Sequence, residues 1–112
     1  MSETLTWRVR ATVERIVDGD TFVATFDLGW GVKRMEVAGA SSRVRILGYN
    51  TPERNQPDYA RAIVELSVLL PLGTDVWVVS HKLDSFGRAL CDVFMKDGTN
   101  ILDLLPREWR VL

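Results

Sequence analysis

The chain has 112 residues, of which 46% are hydrophobic and 26% charged, and its formal net charge is −1. That length fits one domain and leaves little room for a second, and the near-neutral balance argues against a protein that coats nucleic acid through a broadly basic surface. No apolar run approaches the roughly 20 residues of a membrane helix, and a single cysteine, Cys91, can form neither an internal disulfide nor a cysteine-rich zinc site.

The first residues, Met1 to Trp7, are polar and lack the charged and apolar regions of a signal peptide. The expectation is an intracellular protein, or a chain from which a leader has been removed. From Trp7 to Val13, apolar Trp7, Val9, Ala11 and Val13 alternate with Arg8, Arg10 and Thr12, which predicts a half-buried strand. Val17-Asp18-Gly19-Asp20 breaks the alternation with turn-forming residues, and Thr21 to Phe26, rich in β-branched and aromatic residues, predicts a second strand. Asp27 to Ser42 contains Gly29, Gly31 and Gly39 and reads as an extended hairpin arm or a long loop. Arg43 to Leu47 is the third strand, ended by Gly48.

One amphipathic helix follows, beginning near Pro57. Tyr59, Ala62, Ile63, Leu66, Leu69 and Leu70 form a continuous apolar stripe at helical spacing, and Pro71 and Gly73 close it. Asp75 to Ser80 and Arg88 to Phe94 predict two more strands, and a short helix from about Asn100 is stopped by Pro106. Three strands, a helix, two strands and a short helix describe a single mainly-β domain with some α: a five-stranded OB-fold barrel with its helix between strands three and four. An α+β sheet with a packed helix is the alternative.

Several residues could carry chemistry. Asp18-Gly19-Asp20-Thr21 is either a β-turn or a pair of carboxylates placed for a hard cation, which takes oxygen ligands. Arg45, with Arg43 and Leu47, faces away from Val44 and Ile46; it is either a solvated arginine or a guanidinium aimed into a groove. Asn50, Thr51, Pro52 and Glu53 all suit a turn or a helix cap. Eleven of the fourteen cationic residues are arginine, the side chain that pairs bidentately with phosphate or carboxylate. Other chemistries are poorly provided for. His81 is the only histidine, Cys91 lies in an apolar strand, and no Gly-rich phosphate loop follows a strand.

Taken together, "VDGDT", then "VRILGYNTPE", then a helix, then "DSFGRALCDVF", resemble the staphylococcal nuclease (thermonuclease-like) family in order and spacing from about Val13 to Leu105. The resemblance implies the OB-fold and a Ca²⁺-dependent nuclease, with other divalent metals as alternatives. It implies hydrolysis of DNA or RNA, single strands preferred, to 3′-phosphate and 5′-hydroxyl ends. Residue by residue, it assigns the metal to Asp20, Asn50 and the Thr51 carbonyl. The phosphate falls to Arg45 and Arg88, and the general base, or positioner of the attacking water, is Glu53. Phe86 stands beside Arg88 as a ring for stacking on the substrate. Among the departures from the family, Asn50 occupies a position where it has an aspartate, Phe86 one where it has a tyrosine, and Asp27 to Ser42 is longer than the corresponding connection. Two rival readings are a catalytically silent OB-fold that only binds nucleic acid or protein, and an assembly module built on the Asp27–Ser42 arm.

Overall fold

The first strand runs further than its alternation suggests. The computed structural model describes residues 7–27, 33–34, 43–83 and 89–111, and in it β1 spans Trp7–Asp18. Its first half pairs with β5 (Asp75–Leu83), and from Arg10 onward it pairs with β2 (Thr21–Asp27), both antiparallel. One strand serves two neighbours through its two edges, and its register with β2 shifts between Val13 and Arg15 and again between Ile16 and Asp18. Such bulges add bend and twist, which is what a small closed barrel requires of its longest strand.

The remaining strands complete the circuit. β3 (Lys33–Arg34) is a two-residue addition paired with the end of β2; the rest of the expected 27–42 arm beyond Asp27 lies outside the described residues. β4 (Arg43–Ile46) pairs antiparallel with β2 and parallel with β6 (Ala89–Phe94), and β6 pairs antiparallel with β5. The order β1-β5-β6-β4-β2, with β2 returning to β1, closes a five-stranded barrel, the OB-fold arrangement expected from the sequence.

The barrel is filled from alternate positions of its strands, among them Ala11, Val13, Phe22, Ala24, Val44, Ile46, Val76, Val78, Cys91 and Val93, all buried. The helix α1 (Tyr59–Leu69) packs against β1 and adds Leu66, together with Leu70 just past its end, to the same core. It starts two residues later than Pro57 suggests. Asp58, immediately before it, has φ 70°, a left-handed conformation that cannot continue a right-handed helix. At the other end Gly73, at φ +86°, turns the chain into β5.

The expected short C-terminal helix is instead two 3₁₀ turns, Ile101–Asp103 and Arg107–Trp109, separated by Pro106. Asn100 starts the first by accepting the Leu102 N–H through Oδ1 (2.9 Å). Only Ile101 and Leu105 of this segment are buried, too narrow an apolar stripe to hold a longer helix, and Pro106 has no N–H to extend one. The segment then returns to the region after β4. The Trp109 carbonyl accepts the Asn50 N–H (2.9 Å), and the Val111 N–H donates to the Gly48 carbonyl (2.8 Å). Arg61 of α1 pins this return by pairing with Glu108 and placing its guanidinium 4.8 Å from the Trp109 ring centre. No helix among the described residues is long and apolar enough to cross a membrane.

Candidate functional site

Three separate stretches of chain meet at one end of β4. The β1–β2 turn brings Asp18 and Asp20, β4 brings Arg43 and Arg45, and the loop ahead of α1 brings Asn50 to Arg54. Together with Pro52 they line a cleft of about 520 Å³.

The turn can lie this close because its central residue is glycine. A Cβ on Gly19 would stand 2.6 Å from the Ala62 Cβ of α1 and 3.0 Å from both Cγ2 and Oγ1 of Thr51. Carbon atoms pack at about 3.5–4.0 Å, so the Asp-Gly-Asp sequence is here a matter of clearance. Gly19 is not among the positive-φ glycines.

Asp20 is the hub. Its carboxylate is buried, with Oδ1 accepting the Thr21 hydroxyl (2.9 Å) and Oδ2 accepting the Thr51 N–H (3.2 Å). Its carbonyl accepts the Ile46 N–H (2.9 Å), fixing the turn to the end of β4. Burying a carboxylate is costly unless it is hydrogen-bonded and paired. The pairing comes from Arg45, whose Nη2 lies 3.7 Å from Asp20 Oδ2. The same Nη2 donates to Asn50 Oδ1 at 3.1 Å. Both contacts are longer than the 2.7–2.9 Å or so of a strong charge-assisted bond. The guanidinium is therefore placed but not saturated, and it is left free to take a better acceptor.

Glu53 is exposed. Its backbone N–H is held by Gln56 Oε1 (2.8 Å), which fixes the loop, while its carboxylate makes no ion pair among the described residues. Thr51 is buried between the turn and α1. Of the residues singled out from sequence, Asp20, Arg45, Asn50, Thr51 and Glu53 are thus brought together. Phe86 and Arg88 lie outside the described residues.

Asp18, one of the two carboxylates that the sequence offered for a hard cation, lines the cleft, and Tyr59 at the start of α1, which sequence reasoning placed only in the apolar stripe, donates its hydroxyl to Asp18 Oδ1 (2.8 Å). Tyr59 fits the apolar stripe by spacing, and only the polar tip of its ring betrays a second role. Arg43 and Arg54 line the cleft as well; Arg43 was signalled by its placement two residues from Arg45 on one strand face.

The expected metal donors Asp20, Asn50 and Thr51 are all oxygen, the kind a hard divalent cation takes, but they carry one formal charge. Among the described residues no group of three or more His, Cys, Asp or Glu is arranged to hold a metal. The donors fit such an ion in kind and predict weak binding. Other chemistries fall away. His81 pairs with Asp92 through Nε2 (2.8 Å) on β5 and β6 and is not in the cleft, and burial pushes the Cys91 thiol up to about 12, far from a reactive thiolate.

No family model matches the chain. Two curated proteins, each named an uncharacterized endonuclease, from Escherichia coli O157:H7 and from Escherichia coli, are each 29% identical to it over 99 residues. The match covers 88% of this chain and 57% of each relative, so the chain spans a little over half the length of these relatives.

Proposed function

We propose that this chain is a metal-dependent phosphodiesterase domain that hydrolyses DNA or RNA, with Ca²⁺ as its metal and 3′-phosphate and 5′-hydroxyl ends as products. The observation that carries the reading is the convergence of Asp20, Arg45, Asn50, Thr51 and Glu53 on one open cleft from segments far apart in sequence. The similarity to proteins named endonucleases, and the resemblance of the motifs to the staphylococcal nuclease family, support it independently of that geometry.

Each side chain has a part. Arg45 gives up its long contacts to Asn50 and Asp20 and donates to the non-bridging oxygens of the scissile phosphate, where charge builds in the transition state. Glu53, exposed in the cleft with no cation paired to it among the described residues, accepts the proton of the attacking water, a contribution of about 10²–10⁴-fold. The new bond forms between that water oxygen and phosphorus, and the bond to the 5′-oxygen breaks, the departing oxygen taking a proton from solvent to become the 5′-hydroxyl. Asp20, Asn50 and the Thr51 carbonyl would hold the cation, which when bound supplies charge neutralisation at the phosphate. Arg88 is assigned by resemblance to the second guanidinium and Phe86 to a stacking ring.

The test is digestion of single-stranded DNA by the wild type with Ca²⁺ and with EDTA, beside Arg45→Ala and Glu53→Gln. Cleavage that needs metal and falls about 10²–10³-fold in Arg45→Ala is expected. A folded wild type inert with Ca²⁺, Mg²⁺ and Mn²⁺ refutes the reading. One observation favours a second reading, a binding-only module: the lack, among the described residues, of a three-carboxylate metal group. Binding of the same DNA, indifferent to EDTA and without cleavage, would select it.

A further inference from the structure

The cleft carries more arginines than one phosphate requires. Arg45 is its inner cation, with a side chain 25% exposed and both of its described partners inside the site. Arg43 and Arg54, by contrast, stand exposed at the rim of the same cleft. Arg43 and Arg45 are alternate residues of β4, so they sit about 6.6 Å apart along the strand. That step is comparable to the separation of neighbouring phosphates on an extended single strand. Arg54 comes from the loop that also carries Thr51 and Glu53, and among the described residues it makes no ion pair. The cleft's carboxylates Asp18, Asp20 and Glu53 oppose an anion, and a chain of net charge −1 offers no broad basic surface to offset them. Retention of a polyanion therefore falls to these local cations.

We propose that Arg43 and Arg54 form a flanking-phosphate subsite beside Arg45, so that binding draws on the phosphates next to the one at Arg45 and not on that one alone. The proposal rests on the nuclease reading for what happens to the bound strand, but not for the binding itself. A positively charged groove that follows the backbone is the usual way to hold a single strand without reading its bases.

The test uses a fluorescein-labelled oligothymidylate, with binding followed by anisotropy over a range of NaCl concentrations in a Glu53→Gln background. Arg43→Ala and Arg54→Ala are each expected to weaken binding roughly three- to tenfold. Each should also make the slope of log K against log salt shallower by about 0.7, the value for one phosphate contact on a single strand. Arg54→Lys, which keeps the charge, should restore the slope. In the Glu53-containing protein, each alanine variant should lower the ratio of kcat/KM for the oligonucleotide to kcat/KM for the p-nitrophenyl ester of thymidine 5′-phosphate. An unchanged salt slope in both variants overturns the subsite, as does an unchanged ratio. If neither substrate is hydrolysed by folded wild type, the nuclease reading fails while the salt slope still decides the subsite.

Discussion

Replacing Gly19 with alanine tests whether the site depends on close approach of the β1–β2 turn to α1. The added methyl would stand 2.6 Å from the Ala62 Cβ and 3.0 Å from two Thr51 side-chain atoms, about 1 Å inside normal carbon–carbon contact. Ala62 cannot swing away, because its Cβ is fixed to the helix backbone and the residue is buried. Relief must come from moving the turn, and overpacking of this kind costs about 1–3 kcal/mol. Against it stands an entropic gain of about 0.4–1 kcal/mol from stiffening the unfolded chain. The net expectation is a loss of about 1–2 kcal/mol, which for a domain of this size lowers Tm by on the order of 10 °C. The movement also strains the 3.2 Å bond from the Thr51 N–H to Asp20 Oδ2, so the proposed nuclease activity should fall by more than the folded fraction does. Urea denaturation with activity measured on the same samples reads both effects. Adding Ala62→Gly removes the shortest contact, and a double-mutant cycle should show favourable coupling of at least about 0.5 kcal/mol. An alanine variant as stable as wild type and fully active would show that clearance at Gly19 does not set the geometry.

Two further outcomes are expected. Asn50→Asp places a second formal charge beside Asp20 and should shift the midpoint of a Ca²⁺ titration, read by calorimetry, downward by on the order of tenfold; an unmoved midpoint would remove position 50 from the metal site. Tyr49 is buried with its hydroxyl unbonded among the described residues, and its pKa is raised to about 12 by burial first and then by Glu65, Glu108 and Asp20. A folded pKa above the unfolded value of about 10 means that this group's contribution is full below pH 10 and is lost as pH rises from 10 to 12. Tyr49→Phe should flatten that alkaline decline and raise neutral-pH stability by about 1 kcal/mol through loss of an unsatisfied polar group; a steeper decline would contradict the assignment.

The barrel was legible because its first strand opens on a period of two and the others are short apolar or β-branched runs bounded by turn residues. The strand ends were not. Glu14 and Arg15 interrupt the pattern of β1, and a bulge absorbs the interruption so that the strand continues to Asp18. A second irregularity between Ser80 and Lys82 similarly carries β5 past its predicted end to Leu83. Closure was implied only by analogy, since the parallel β4–β6 pairing joins residues more than forty positions apart and leaves no local trace. At the site, the Asp-Gly-Asp turn and the Asn-Thr-Pro-Glu loop could be read as motifs. The bond from Arg45 to Asn50 could not, because it depends on how a turn folds back on its own strand. The helical spacing of Tyr59 hid its bond to Asp18 for the same reason: spacing reports which face is buried, not where a ring's polar tip goes.

The neutral side chain at position 50 makes sense in the charge balance of the cleft. Its lining residues include three carboxylates, Asp18, Asp20 and Glu53, and three arginines, Arg43, Arg45 and Arg54. With asparagine at position 50 these charges cancel, and Arg45 faces one carboxylate, Asp20, at 3.7 Å. An aspartate there would leave the cleft with excess negative charge and would hold Arg45 by a hydrogen-bonded ion pair, stronger than its present bond to a neutral amide oxygen. Such a guanidinium would be harder to hand over to a phosphate. Asn50 keeps the acceptor oxygen and omits the charge, so the proposed metal site would bind more weakly while Arg45 stays available to the proposed phosphate. Its placement is no accident of a mobile turn, because its N–H is bonded to the Trp109 carbonyl at 2.9 Å and Trp109 is stacked under Arg61 of α1. The C-terminal return, which contributes no side chain to the cleft, is thereby what aims Asn50, the residue on which the proposed balance between cation and phosphate turns.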